Sequence, residues 1–122
     1  MPRLLLIDDE ADVAEVIGAY LSEQGHIVTV VNDGKAALRL LVGQPFDGAI
    51  IDVLLPGVSG LELAEAASAR RIPVLLMSGE SESIERLNGN NRHTFLHKPF
   101  HLDDLGSALS GMLNARMRTR IE

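Results

Sequence analysis

Leu4-Leu5-Leu6-Ile7-Asp8-Asp9-Glu10 is an apolar run that ends abruptly in three acids. Two later stretches have the same shape: Ala49-Ile50-Ile51 leads into Asp52, and Thr94-Phe95-Leu96-His97 leads into Lys98-Pro99. Short continuous apolar runs bounded by turn signals read as strands buried on both faces, the signature of a parallel sheet. If these runs are neighbouring parallel strands, Asp8, Asp9, Asp52 and Lys98 meet at one sheet edge. Three carboxylates that close repel one another unless a cation sits among them. The stretch therefore points to Mg²⁺-dependent phosphoryl chemistry as well as to an α/β fold.

Working outward, apolar runs alternate with helical patterns five times. Arg3–Ile7 reads as the first strand, followed by Val13, Val16, Ile17, Tyr20 and Leu21 at helical spacing, with Gly25 ending the helix. His26–Val31, rich in β-branched residues, reads as a second strand. Asp33-Gly34 opens a helix through Ala36, Ala37, Leu40 and Leu41 that stops near Gln44-Pro45. Gly48–Asp52 is the third strand, and Pro56-Gly57 a turn. Ser59 with Glu62 forms a capping box before a helix through Leu63 and Ala67. Pro73–Ser78 and Thr94–His97 are the last strands. Leu102, Leu105, Leu109, Met112 and Leu113 mark a final helix whose first turn holds Asp103 and Asp104. Between them, Glu82–Arg92 predicts one or two helical turns and then a loop at Asn88-Gly89-Asn90-Asn91.

The result is a (βα)₅ chain of the α/β class. It predicts a doubly wound, five-stranded parallel sheet in the flavodoxin-like order 2-1-3-4-5, with all 122 residues in one domain. Ligands of such sheets bind beyond the C-terminal strand ends, where the acids stand.

Composition narrows the function. The net charge is -6 and there is no broad basic surface, which argues against direct nucleic-acid binding. Arg116, Arg118 and Arg120 read as a solvated helix end. No apolar run approaches the roughly 18 residues of a membrane span, and Leu4–Ile7 is too short for a secretory segment, so the cytoplasm is the expected compartment. The absence of cysteine excludes disulfides, thiol catalysis and cysteine-ligated zinc. His93, His97 and His101 recur at spacing four, but they fall across a strand and Pro99 and cannot share a helical face.

Each candidate also has a bland reading. Asp8-Asp9 alone would be a loop and helix N-cap; Ser78 a turn serine before Gly79; Phe95 a core aromatic. Taken together they assign chemistry. Asp52 is a candidate nucleophile, since carboxylates can attack phosphorus and form an aspartyl phosphate. Mg²⁺ prefers hard oxygen ligands and retains water, which two or three carboxylates and a phosphoryl oxygen satisfy. Lys98, one of only two lysines, supplies a point charge. Ser78 offers a hydroxyl to a phosphoryl oxygen.

Leu6-Ile7-Asp8-Asp9-Glu10, Ile51-Asp52 with Leu55-Pro56-Gly57 and Gly60, Met77-Ser78-Gly79 and Lys98-Pro99-Phe100, all in order, resemble the receiver (CheY-like) domain of two-component response regulators across essentially the whole chain. The resemblance implies that Asp52 accepts phosphate from a histidine kinase or histidine phosphotransfer protein. It implies Mg²⁺ (or Mn²⁺) held by Asp9, Asp52 and the backbone carbonyl of Leu54, with Asp8 acting through water. It also implies Lys98 on the phosphoryl group, Ser78 as the switch hydroxyl and Phe95 as the aromatic that follows it. Such a module catalyses only its own phosphorylation and dephosphorylation. It signals to a downstream protein target, with a homodimer among the outputs it allows. Met1 directly before the first strand is expected to be a natural start; a stand-alone regulator and a receiver from a larger regulator or hybrid kinase both stay open.

Two departures stand out. Leu54 puts an apolar side chain beside the expected path of attacking water, and Glu82–Arg92 is shorter and more turn-like than the family's fourth helix. Two other function classes compete. Haloacid-dehalogenase-like phosphohydrolases also use a strand-end aspartate, but carry a second acid where this chain has Leu54. An interaction module that never takes phosphate would be favoured by loss of Asp52 or Lys98, and both are present.

Overall fold

The computed structural model describes residues 1–79 and 93–121, with side chains through Ala115. The helical turns and loop expected within Glu82–Arg92 lie outside the described residues. The elements run β1 (Arg3–Ile7), α1 (Ala11–Glu23), β2 (Ile27–Val31), α2 (Gly34–Gly43), β3 (Gly48–Asp52), α3 (Gly60–Ala69), β4 (Val74–Ser78), β5 (Thr94–His97) and α4 (Leu102–Ile121). The five strands pair in parallel in the order β2-β1-β3-β4-β5.

Successive side chains along a strand point to opposite faces, and this alternation divides the core in two. Leu5, Ile7, Ala49, Ile51, Val74 and Leu76 face α2 and α3, meeting Ala37, Leu41, Leu63, Ala64 and Ala67. Leu4, Leu6, Ile50, Leu75 and Met77 face α1 and α4, meeting Ala14, Ile17, Leu21, Leu105 and Leu109. Burial on both faces is why these strands are continuously apolar rather than alternating. No helix among the described residues is long and apolar enough to cross a membrane.

Local chemistry sets the boundaries. The Ser59 hydroxyl accepts the Glu62 N–H at 3.1 Å, capping α3. The Asp33 carboxylate accepts the Lys35 N–H at 3.0 Å, capping α2. Gly25, at φ +94°, turns the chain out of α1 in the left-handed conformation that glycine adopts without strain. β2 starts one residue later than its sequence suggests, because the His26 N–H still bonds back to the Leu21 carbonyl at 3.2 Å. β4 likewise starts at Val74: Pro73 has no N–H to give the ladder, though its carbonyl accepts from Ala49 at 3.0 Å. Val16 also departs from expectation. It reads as a core-face residue but is 57% exposed, on the wall of an apolar cleft of about 650 Å³ formed with Val13, Ile17, Phe100 and Leu102, with Lys98 at its edge.

Candidate functional site

Strand register brings the site together. Ile7 pairs with Ile51, so Asp8 and Asp52 leave the sheet side by side. Asp52 pairs with Met77 and Ser78 with His97, so Ser78 and Lys98 arrive at the same edge. The ladder runs a residue further on this side: the Val53 N–H bonds to Met77 at 2.9 Å and the Lys98 N–H to Ser78 at 2.8 Å.

Asp8 is fully buried and Asp52 is 5% exposed, while Asp9 is exposed. One carboxylate oxygen from each of the three lies within 4.8 Å of the others. Asp8 Oδ1 accepts the Glu10 N–H at 2.9 Å, and Asp52 Oδ1 accepts the Leu54 N–H at 3.0 Å. Their second oxygens face the same ammonium: Lys98 Nζ is 3.1 Å from Asp52 Oδ2 and 3.6 Å from Asp8 Oδ2. Neither Asp8 nor Asp9 is the N-cap of α1: that position is Glu10, whose side chain makes no capping bond, although Asp8 also ties down the Glu10 N–H at the start of the helix.

The electrostatics are lopsided. Burial pushes the Asp8 carboxyl above its usual range and nearby Asp52 adds to the rise, against the opposing Glu10 N–H and Lys98 charge. Burial pulls the Lys98 ammonium down, but its hydrogen bond to Asp52 and the charges of Asp52, Asp8 and Glu10 outweigh that and hold it above the usual lysine value. Among the described residues, Lys98 is the one ammonium facing Asp8 and Asp52, and Asp8 Oδ2 is buried there with no hydrogen-bond partner. The donor set is all hard oxygen, which suits a divalent cation such as Mg²⁺. Asp8, Asp9 and Asp52 form the cluster of metal-ligand type found among the described residues.

Ser78 is buried at the end of β4. Phe95 pairs with Leu76 in the sheet, half-buried against the core that α2 and α3 cover. It stands three residues before Lys98, about 10 Å along the strand, and so lies outside the carboxylate cluster. Leu54 gives its N–H to Asp52 while the residue stays 53% exposed.

Close backbone approach shapes the loop after Asp52. A Cβ at Gly60 would stand 2.5 Å from the Asp52 carbonyl oxygen and 2.7 Å from Val53 Cα. Only glycine lets α3 start so near the acid. Asn32, which sequence reasoning passed over, donates from Nδ2 to the Asp8 carbonyl at 2.8 Å. Its one signal was position, an asparagine between a strand and a helix cap, and that reads as ordinary turn chemistry.

Comparison with known proteins agrees with this geometry. Residues 4–110 match the family model of the response regulator receiver domain, and the chain belongs to that family. The transcriptional regulatory protein TcrA of Mycobacterium tuberculosis is 32% identical over 114 residues, covering 90% of this chain and 45% of the relative. The transcriptional regulatory protein TctD of Salmonella typhimurium is 35% identical over 115 residues, covering 91% of this chain and 51% of the relative. The chain therefore spans about half the length of these curated relatives. Among solved structures, the response regulator TrrA of Thermotoga maritima, in complex with Mg²⁺ and BeF, superposes with a TM-score of 0.83 at 26% identity. It covers 92% of this chain and 99% of that one. The chain is a receiver domain of the two-component signalling class.

Proposed function

We propose that this receiver takes a phosphoryl group on Asp52 from a histidine kinase or a histidine phosphotransfer protein, with Mg²⁺ as cofactor, and that residues 1–122 act as a single receiver domain. The observation that carries the reading is the convergence of Lys98 Nζ on Asp52 Oδ2 at 3.1 Å beside the acidic trio. In the transfer, a carboxylate oxygen of Asp52 bonds to phosphorus as the bond from phosphorus to the donor imidazole nitrogen breaks, and the imidazole leaves. Positioning and charge neutralisation carry most of such a step. Lys98 meets the phosphoryl oxygens as a point charge already held at the site. Asp9, Asp52 and the Leu54 carbonyl would hold Mg²⁺, with Asp8 behind them. When bound, the ion neutralises charge on the transferring group. Ser78 moves toward the phosphoryl group and Phe95 takes up the space it leaves. That population shift presents a changed surface to a downstream protein. The apolar cleft bordered by Lys98 supports a protein donor over a small metabolite.

The test is direct. Incubation with Mg²⁺ and acetyl phosphate should add the mass of one phosphoryl group, and the gain should vanish in EDTA or with Asp52→Asn. No gain from acetyl phosphate or from histidine-kinase donors would favour an interaction module. Sustained hydrolysis of external phosphate esters would favour a phosphohydrolase.

A further inference from the structure

The connection between β2 and α2 abuts both acid-bearing loops. On one side, the Asp8 N–H bonds to the Val31 carbonyl at 3.2 Å, and the Asp8 carbonyl receives the Asn32 amide at 2.8 Å. On the other, Gly34 sits against the loop that follows Asp52: a Cβ there would stand 2.9 Å from Val58 Cβ and 3.1 Å from the Val58 carbonyl oxygen.

The Asp8 carbonyl belongs to the peptide that joins Asp8 to Asp9. Fixing that oxygen fixes the peptide plane, and with it the direction in which the chain delivers Asp9. Asp9 is the exposed member of the trio. Like-charge repulsion from Asp8 and Asp52 pushes it outward, and a held peptide plane resists that push. We propose that Asn32 is a positioning residue for the divalent cation: its amide holds the Asp8–Asp9 peptide so that the Asp9 carboxylate stays beside those of Asp8 and Asp52. The inference rests on the metal reading above. A side-chain amide suits the task because it donates to a carbonyl without adding charge. A carboxylate at position 32 could not donate, and an ammonium would compete with the cation.

Isothermal titration of MgCl₂ into the wild type, Asn32→Ala and Asn32→Gln, paired with urea unfolding of each in EDTA, tests it. Asn32→Ala should raise the Mg²⁺ Kd about tenfold, the scale of losing a group that orients a metal ligand. Asn32→Gln, which keeps the amide, should recover most of that loss. The urea midpoint in EDTA should barely move, because the residue is exposed. An Asn32→Ala protein that binds Mg²⁺ as tightly as the wild type would overturn the inference alone. So would a midpoint in EDTA that falls in step with affinity. A wild type that binds no Mg²⁺ would overturn the metal reading and this inference with it.

Discussion

The same five strands end in two edges that treat charge in opposite ways. At the N-terminal edge, backbone pairs with backbone: Ile27 with Pro2 at 2.8 Å, and Asp47 with Arg3 at 2.7 Å. The Asp47 carboxylate there accepts the Arg3 N–H at 2.8 Å in an exposed hydrogen bond. At the C-terminal edge, two carboxylates are buried, a third stands within 4.8 Å, and one lysine faces them. Burying charge without full pairing costs stability. The first edge is built to close the sheet. The second leaves negative charge incompletely paired, which is the charge that the proposed cation and phosphoryl group would meet.

Four variants separate the edges, in falling order of effect. Lys98→Met should slow labelling by acetyl phosphate about a hundredfold, the scale of losing one preorganised charge contact in a reacting site. An unchanged rate would reduce Lys98 to a structural ion pair and erase the contrast. Gly60→Ala should cost about 2 kcal/mol in urea unfolding, since backbone atoms of Asp52 and Val53 leave no room for a methyl group. Gly111→Ala, in open space on α4, should instead stabilise by about 0.7 kcal/mol through helix propensity. Asp47→Ala, at the quiet edge, should cost about 0.5 kcal/mol and leave labelling untouched; a labelling defect there would show that the edges are coupled.

The pH dependence sharpens the same contrast. The folded-state pKa of Lys98 stands above its usual 10.5. Its contribution to stability is therefore fully present below pH 10.5 and is lost as pH rises through the folded value. The urea midpoint of the metal-free wild type should fall in that alkaline window, and Lys98→Met should fall less. Asp8 is also raised, from 3.8. Its stabilising contribution is present below 3.8 and lost as pH rises through the folded value, so at neutral pH its ionised form is a burden on the metal-free protein.

Much of this was legible in the sequence, for physical reasons. Parallel strands covered on both faces must be apolar throughout, so Leu4–Ile7, Ala49–Ile51 and Val74–Met77 announced themselves. Their polar terminators, Asp8, Asp52 and Ser78, marked the edge where such sheets bind ligands. Single-residue boundaries were harder, because the His26 N–H answers to α1 and Pro73 gives the ladder a carbonyl but no N–H. Val16 misled because helical spacing identifies an apolar stripe but not its width, and the outer part of that stripe lines a cleft. Asn32 was invisible because its partner is a backbone carbonyl that sequence cannot point to.

On the proposed function, the C-terminal edge gives up stability to hold a cation. Urea unfolding at neutral pH, in EDTA and in Mg²⁺, of the wild type and Asp8→Asn tests it most directly. In EDTA, Asp8→Asn should be the more stable by about 1 kcal/mol, since it removes one charge from a repelling trio. Mg²⁺ at a hundredfold Kd should stabilise the wild type by about 2.7 kcal/mol, and at the same concentration the variant should gain much less. A destabilised Asp8→Asn in EDTA, together with a wild type indifferent to Mg²⁺, would contradict the account.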